Sequence, residues 1–190
     1  MYKYVKFDEN SGLCTEVGIG TNADYYKSVG MVRKDVEQSE VDGNWYLTVK
    51  CPHYTDEEKL EKAKADKLSQ LKAISQKYTV NDCDEMYITS SLGYAINADK
   101  TAQDNIRGLI EAHEETDLIK YKLYDNSFKD VTIADLKIML KECAQNGENL
   151  YTQKFLYQAQ INACTSIDEV NAIEIVFEMM DFSKSDSDSE

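Results

Sequence analysis

Pro52, the only proline in the 190-residue chain, separates two kinds of sequence pattern. Before it, Tyr2 and Tyr4 alternate with lysines, at the two-residue period of a half-buried strand. Residues 45–49, Trp-Tyr-Leu-Thr-Val, are rich in strand formers. Because a proline pushes the residue before it into extended geometry, Pro52 is expected to close this part of the chain. Residues 1–52 are therefore predicted to form a small antiparallel β module.

A long helix is predicted directly after the proline. The segment Thr55-Asp56-Glu57-Glu58 has the form of a capping box, in which Thr55 and Glu58 satisfy each other's backbone N–H groups. A mainly apolar stripe at helical spacing then continues to Tyr78. The stripe is narrow and the other positions are rich in lysine and glutamate. The helix over residues 56–78 is therefore expected to pack against one partner helix.

Short strands and a helix are predicted in the middle of the chain. Strand-forming runs occur within residues 86–97 and within residues 119–131, and turn residues divide each pair. Asp99 is placed to cap a helix between the two strand pairs. This stretch therefore predicts two small strand pairs that flank one helix.

The last third of the sequence has helical spacing. Thr132 and Asp135 resemble a capping motif, and Ser166 with Glu169 forms a further capping box before a short helix that is expected to run through Phe177. The helix from residue 133 is expected to lie antiparallel to the helix over residues 56–78. Together they are predicted to bury Leu68, Leu71, Ile74, Leu136, Leu140 and Leu156.

These patterns predict an α+β protein, in which a small N-terminal antiparallel β module precedes a long-helix hairpin or bundle with inserted short strand pairs. Residues 1–52 are the β-rich, partner-binding module, and residues 53–180 are the helical α+β domain. Residues 181–190 form an acidic tail whose only apolar residue is Phe182. Such a segment buries too little apolar area to fold, so the tail is expected to be disordered.

The charge balance excludes several classes of function. The chain has 35 acidic and 21 basic residues, a net charge of −14, and such a surface repels phosphate backbones. No nucleic-acid partner is therefore expected. No segment approaches the roughly 18 apolar residues of a membrane span, so no membrane partner is expected. The five cysteines are widely spaced and contain no C-x-x-C pair, which favours a reducing interior over a disulfide framework.

Few residue pairs could carry chemistry. Cys51 and His53 have the types of a nucleophile and its base, but no third group is evident to orient them, so a strand end is the favoured interpretation. Zinc needs clustered ligands, and neither His53 nor His113 lies at a ligand-like spacing from a cysteine. The chain is therefore expected to have no catalytic residues, no metal and no cofactor, and not to be an enzyme.

The first 52 residues contain more aromatic side chains than a small sheet can bury on one face. The candidates for a partner-binding surface are Tyr25, Tyr26, Trp45 and Tyr46. Aromatic rings left outside suit a protein–protein contact, because they give a large rigid area with a polar tip. The equally weighted alternative is that they pack on the long helix. Trp45 and Tyr46 are neighbours on one strand, so one is expected to be core and the other to face the partner.

Several short motifs follow one another in the second half of the chain. They are Ser91-Leu92-Gly93-Tyr94, Asp99 with Gln103-Asp104-Asn105-Ile106, Asp125 to Phe128, Thr132 to Leu136, and finally Ile161, Ala163, Thr165, Glu169, Val170 and Ile173. Their order over about residues 60–178 resembles a phage domain of unknown function, the 4376 family. The sequence departs from the family at Val170, where leucine is usual, and at Asn126-Ser127-Phe128, where the family favours glycine and tryptophan.

The resemblance implies a context in phage or prophage tail regions, where several members are labelled tail-fibre assembly proteins and often carry a small β-rich N-terminal module. It implies no catalytic residue. The favoured function is a chaperone that binds the tip of a phage tail fibre in the host cytoplasm. The alternative is a structural virion component, such as a fibre or baseplate attachment protein, located in the virion tail. Another tail protein as partner, and homo-oligomer formation, are also expected possibilities.

Overall fold

The first third of the chain contains several short strands and the rest contains the long helices, which confirms the α+β class. The computed structural model describes residues 2–79 and 83–184. The chain divides into two compact units, residues 1–61 and residues 62–190. The division between the two units lies inside the helix that begins at Asp56.

The first unit contains a three-stranded antiparallel sheet with β1 in its centre. The strands are β1 (Tyr2–Phe7), β2 (Cys14–Gly20) and β3 (Val32–Arg33), in the order β2-β1-β3. Residues within the β1–β2 turn stabilise it. The Asp8 carboxylate accepts the backbone N–H of Ser11 at 2.7 Å, and Gly12 has the positive φ of +75° that the turn requires. Val5 is fully buried at the centre of this sheet.

A second hairpin and a short helix complete the first unit. Strands β4 (Val36–Gln38) and β5 (Trp45–Leu47) pair antiparallel and lead into a 3₁₀ helix at Thr48–Lys50. The short helix α1 (Ala23–Ser28) was not expected from the sequence. It begins because the Asn22 side chain accepts the backbone N–H of Tyr25 at 3.0 Å.

The elements of the second unit follow the order expected from the sequence. They are α2 (Asp56–Lys77, which begins in the first unit), β6 (Tyr87–Thr89), β7 (Ala95–Asn97), α3 (Lys100–Ala112), β8 (Ile119–Lys122), β9 (Phe128–Val131), α4 (Ile133–Ala163) and α5 (Ile167–Ala172). Strands β6 and β7 form one antiparallel hairpin, and β8 and β9 form another. Helix α4 continues through Gly147 without interruption.

One hydrophobic core holds the second unit together. Its fully buried side chains include Ile88, Ile96, Ile106, Leu136, Met139 and Ile161. Leu71 of α2 is buried in the same core, where Leu68, Ile74 and Leu140 are half-buried. Burial of a complete aliphatic side chain contributes about 1.5–3 kcal/mol, so these few residues supply much of the stability of the unit.

Two details of the expected helical hairpin are wrong. The helix that packs most closely on α4 is α3, rather than α2. Leu156, expected in the core, is 65% exposed. The reason is the helical period: Leu150 and Ile161 are eleven positions apart and lie on one face of α4, whereas Leu156 is rotated by about 120° from both.

The short final helix ends earlier than expected, at Ala172 rather than near Phe177. Side chains of α4 bind the backbone that follows it. The Tyr157 hydroxyl donates to the Val176 carbonyl at 2.8 Å and accepts the Val176 N–H at 3.1 Å, and the Gln153 amide does the same for Glu178. Because these bonds satisfy the backbone from outside, the segment stays extended instead of helical.

The expected disorder of residues 181–190 is wrong for the first part of that tail. Asp181 forms a parallel bridge with Thr89, and the Phe182 N–H donates to the Thr89 carbonyl at 2.7 Å. The Phe182 ring is half-buried against the core of the second unit. Backbone pairing with Thr89 and the Phe182 side chain together dock this part of the tail on the second unit. Residues 185–190 lie outside the described residues.

Candidate partner-binding site

A layer of tyrosine rings covers one face of the three-stranded sheet. The Tyr4 and Tyr26 rings are stacked, with centroids 4.3 Å apart and planes 7° apart, and Tyr25 meets Tyr26 edge-on at 5.3 Å. We call Tyr4, Tyr25 and Tyr26 the tyrosine layer. Stacked and edge-to-face pairs of this kind contribute about 0.5–1.5 kcal/mol beyond their burial, so the layer is a rigid surface.

Two glycines of β2 make room for this layer. A Cβ atom on Gly18 would lie 2.4 Å from Cε1 of Tyr26, and one on Gly20 would lie 2.9 Å from the Tyr26 hydroxyl. The Tyr26 hydroxyl also donates to the Ile19 carbonyl at 3.0 Å. The ring of Tyr26 is thus laid flat on β2, which positions Tyr25 beside it.

Tyr25 is the exposed member of the layer. Its side chain is 57% exposed, whereas Tyr4 is buried and Tyr26 is half-buried. Ile19 and Val29, from the adjoining strand and helix end, are also exposed apolar residues. The structure brings Tyr25 and Tyr26 together, and Tyr25 is the more exposed of the two. Tyr26 packs on β2.

Trp45 and Tyr46 do not join the tyrosine layer. They lie on β5 and are both half-buried, so the expected division into one core and one surface residue does not hold. The Lys3 ammonium lies 4.1 Å from the centre of the Trp45 ring. The Tyr46 hydroxyl donates to Asp42 Oδ2 at 2.8 Å, and this bond is the main reason that the pKa of Tyr46 is raised. Both rings are thus engaged within the first unit.

A second apolar surface lies on α4, where the sequence predicted core packing. Tyr151 and Leu156 are 64% and 65% exposed, and Phe155 is also exposed with its ring 4.6 Å from that of Tyr151. We call these three residues the α4 patch. A groove of about 410 Å³ adjoins it, lined by Leu156, Tyr157 and Val176 among others. The i, i+4 spacing of Tyr151 and Phe155 was the sequence signal for a shared face.

Cys51, His53 and Glu37 come together in the first unit. The ligand-type atoms of the three side chains all lie within 4.8 Å of one another, and His53 Nε2 is 3.2 Å from Glu37 Oε1. Partial burial, and next the Glu37 carboxylate, raise the pKa of the Cys51 thiol. A neutral thiol is a poor nucleophile, so the arrangement does not favour covalent catalysis. The sequence analysis did not identify Glu37, because it lies on β4, fourteen positions before Cys51, and only the folded chain brings it beside Cys51 and His53.

Two further buried titratable groups, Glu142 and Cys143, lie on α4 in the second unit. Glu142 of α4 is buried, and its Oε1 accepts the backbone N–H of Ser91 at 3.1 Å and the Ser91 hydroxyl at 2.5 Å. Burial raises the pKa of the Cys143 thiol to about 12, which keeps that thiol neutral. The hydrogen bond between Ser91 and Glu142 joins the turn between β6 and β7 to α4.

The described residues therefore define an α+β protein with several exposed aromatic side chains and no helix long and apolar enough to cross a membrane. Residues 62–176 match a family described as a domain of unknown function (DUF4376). The match covers more than half of the chain, so the chain belongs to this family, as the order of motifs predicted. No curated protein and no solved structure matches the chain.

The residues that carry the family resemblance have structural roles here. Asp99 caps α3 by accepting the Ala102 N–H at 2.9 Å, and Gly93 supplies a turn with a φ of +83°. Ser91 binds the buried Glu142. Val170, where the family has leucine, is fully buried. The motifs thus mark caps, turns and core positions rather than reactive groups.

Proposed function

We propose that the protein is a phage tail-fibre assembly chaperone, which is not an enzyme and which holds the fibre tip through protein–protein contacts. The context comes from the resemblance of its motifs to phage tail-region proteins. A fibre tip exposes apolar and trimer-forming surface before assembly and aggregates unless it is covered. A chaperone for it needs a rigid apolar contact surface and a soluble body.

The observation that carries the proposal is the tyrosine layer with Tyr25 exposed at its edge. Tyr25 is fixed by the Asn22 cap below it and by the ring of Tyr26 beside it. A pre-ordered aromatic side chain loses little conformational entropy on binding, which favours its use as an anchor. Of the four residues predicted for partner binding, Tyr25 is the anchor and Tyr26 its support.

The charge of the chain fits the need of a chaperone for a body that stays in solution. A net charge of −14 keeps a complex with an aggregation-prone partner in solution. The same charge disfavours a nucleic-acid partner. We place the protein in the host cytoplasm during tail assembly.

A structural virion component is the second candidate, and the α4 patch favours it. A chaperone needs one contact surface, whereas a fibre or baseplate attachment protein joins two partners and needs two. Tyr151, Phe155 and Leu156 provide a second exposed surface in the other unit. The same patch would serve self-association if the protein is a homo-oligomer.

The test is co-expression with a tail-fibre gene from the same phage or prophage genome, using Tyr25→Ser against a matched control. Val49→Ser is the control, because Val49 is 89% exposed in the same unit and lies outside the tyrosine layer. An aromatic anchor contributes about 2 kcal/mol or more, so Tyr25→Ser is expected to weaken binding about thirtyfold and to leave the fibre insoluble. The chaperone proposal fails if both variants keep the fibre soluble.

Purified virions distinguish the two candidates. A chaperone is released before the tail is complete, so it is expected to be absent from virions. A fixed copy number in virions, together with loss of incorporation in a Tyr151→Ser, Leu156→Ser variant, would instead support the structural component.

A further inference from the structure

We propose that Glu37, Cys51 and His53 form a binding site for a divalent ion of the zinc class. The three side chains come from β4 and from the segment just after the 3₁₀ helix, all within the first unit. This inference is independent of the proposed chaperone function.

The distances suit a metal site that closes slightly on binding. The carboxylate oxygen, the thiol sulfur and the imidazole nitrogen all lie within 4.8 Å of one another. Zinc bonds of about 2.0–2.3 Å in tetrahedral geometry place ligand atoms about 3.5 Å apart. The 3.2 Å between His53 Nε2 and Glu37 Oε1 already meets this spacing. The Cys51 sulfur lies within 4.8 Å of the other two ligand atoms, so it has to move by about 1.3 Å at most, which a side-chain torsion can supply.

Contacts of neighbouring residues hold together the two chain segments that carry the three ligands. Cys51 is extended, with φ −67° and ψ +124°, as expected for the residue before a proline. The Cys51 sulfur and a His53 ring nitrogen lie within 4.8 Å of each other and of a Glu37 oxygen, so both side chains reach the same cluster. The buried Ser39 donates its hydroxyl to the Pro52 carbonyl at 2.8 Å, which ties this segment to β4 and its Glu37.

The donor set selects the class of ion. One sulfur, one nitrogen and one oxygen are the ligands that zinc prefers, whereas magnesium and calcium take oxygen donors alone. The His53 side chain is 56% exposed, so water can reach a fourth position. The carboxylates of Glu40 and Asp42 act electrostatically on His53 and Cys51 respectively, and their negative charge favours a cation here.

Binding would fix the end of β4 to the start of the segment that leads into α2. Trp45, the only tryptophan in the chain, lies opposite Gln38 on β5, one position along from the pair of Glu37 with Tyr46. Its fluorescence therefore reports on the strand pair that carries Glu37.

The test uses the reduced, chelator-treated full chain titrated with Zn²⁺ and with Co²⁺. Calorimetry is expected to show that one equivalent of Zn²⁺ binds. Co²⁺ is expected to give a thiolate-to-cobalt absorption band and to quench the fluorescence of Trp45. Zn²⁺ is also expected to raise the midpoint of unfolding that Trp45 fluorescence reports. Cys51→Ser, His53→Gln and Glu37→Gln are each expected to weaken binding about tenfold or more.

Matched controls separate this site from adventitious binding. Cys14→Ser removes a half-buried cysteine of the same unit, and His113→Gln removes the other histidine, so both are expected to bind like the parent. Far-UV circular dichroism confirms that each variant is folded. The proposal is overturned if no ion binds, if the thiolate band is absent, or if the control variants lose as much affinity as Cys51→Ser. Any of those results would reduce the cluster to the ion pair of His53 and Glu37.

Discussion

At the scale of single residues, two glycines determine where the aromatic rings of the first unit can lie. Gly18 and Gly20 leave the space that the Tyr26 ring occupies, and this ring in turn covers Tyr4 and supports Tyr25. A sequence pattern shows that glycines are present but not which ring lies over them. The position of Tyr26 therefore could not be predicted from the spacing of residues in β2.

We expect Gly18→Ala to destabilise the first unit by about 1–3 kcal/mol, because the added Cβ would lie 2.4 Å from the Tyr26 ring and displace it from Tyr4. The measurement is urea unfolding followed by Trp45 fluorescence. The control is a double-mutant cycle: in a Tyr26→Leu background the same substitution should cost clearly less. An equal cost in both backgrounds would show that the glycine is needed for another reason.

A second prediction at this scale concerns Ser91 and Glu142. Ser91→Ala removes the hydroxyl donor of a buried carboxylate, so it should lower the free energy of unfolding by about 1–3 kcal/mol in urea followed by circular dichroism. The exposed Ser69→Ala on α2 serves as the control and should be neutral. In a Glu142→Leu background the loss should shrink, because the buried carboxyl group to which the Ser91 hydroxyl donates is absent. A loss unchanged in that background would contradict the pairing.

At the scale of elements, the helix starts were the most predictable part of the structure. The capping box of Thr55 and Glu58, and that of Ser166 and Glu169, are both formed. Capping depends on residues three apart, so the sequence contains all the information. The end of α5 was not predictable in this way, because Tyr157 and Gln153 of another helix hold the following backbone extended.

The cap of α2 leads to a pH prediction. Hydrogen bonds from the Thr55 backbone N–H, and next from its hydroxyl, hold the pKa of Glu58 below the usual 4.5. Because the pKa is lower in the folded state, the cap stabilises α2 above pH 4.5 and this contribution is lost as the pH falls through the folded pKa. An NMR titration of the Glu58 carboxyl carbon should show a pKa that rises partway towards 4.5 in Thr55→Ala. An unchanged pKa would contradict the role of the hydroxyl.

At the scale of the whole molecule, the α+β class and the order of elements followed from the sequence, whereas the surfaces did not. Periodicity places Leu71 and Leu136 in the core because core faces repeat along one helix. The cluster of Glu37 with Cys51 and His53 depends on how a strand and a distant segment meet. The exposure of Leu156 depends on which side of α4 the core contacts. Both are set by tertiary packing, which local patterns do not encode.

The end of the chain shows the same limit, because contacts with a distant strand hold residues 181 and 182 on the second unit. Composition treats residues 181–190 as a single acidic segment. In the structure the Phe182 N–H donates to the Thr89 carbonyl and the Phe182 ring packs against the core of the second unit. Two truncations that differ only in whether they keep these contacts can test this docking.

Deleting residues 181–190 is expected to destabilise the second unit, whereas deleting residues 185–190 should leave it unchanged. The longer deletion removes a backbone hydrogen bond and a half-buried phenyl ring, a loss of about 1–2 kcal/mol. For a chain of this length each kcal/mol shifts the melting temperature by about 2–4 °C, so differential scanning calorimetry can resolve the two. Phe182→Ala in the full chain isolates the ring, because it keeps the backbone bond to Thr89, and it should account for most of the loss. Equal melting temperatures for the two truncations would mean that Phe182 does not hold the segment on the core.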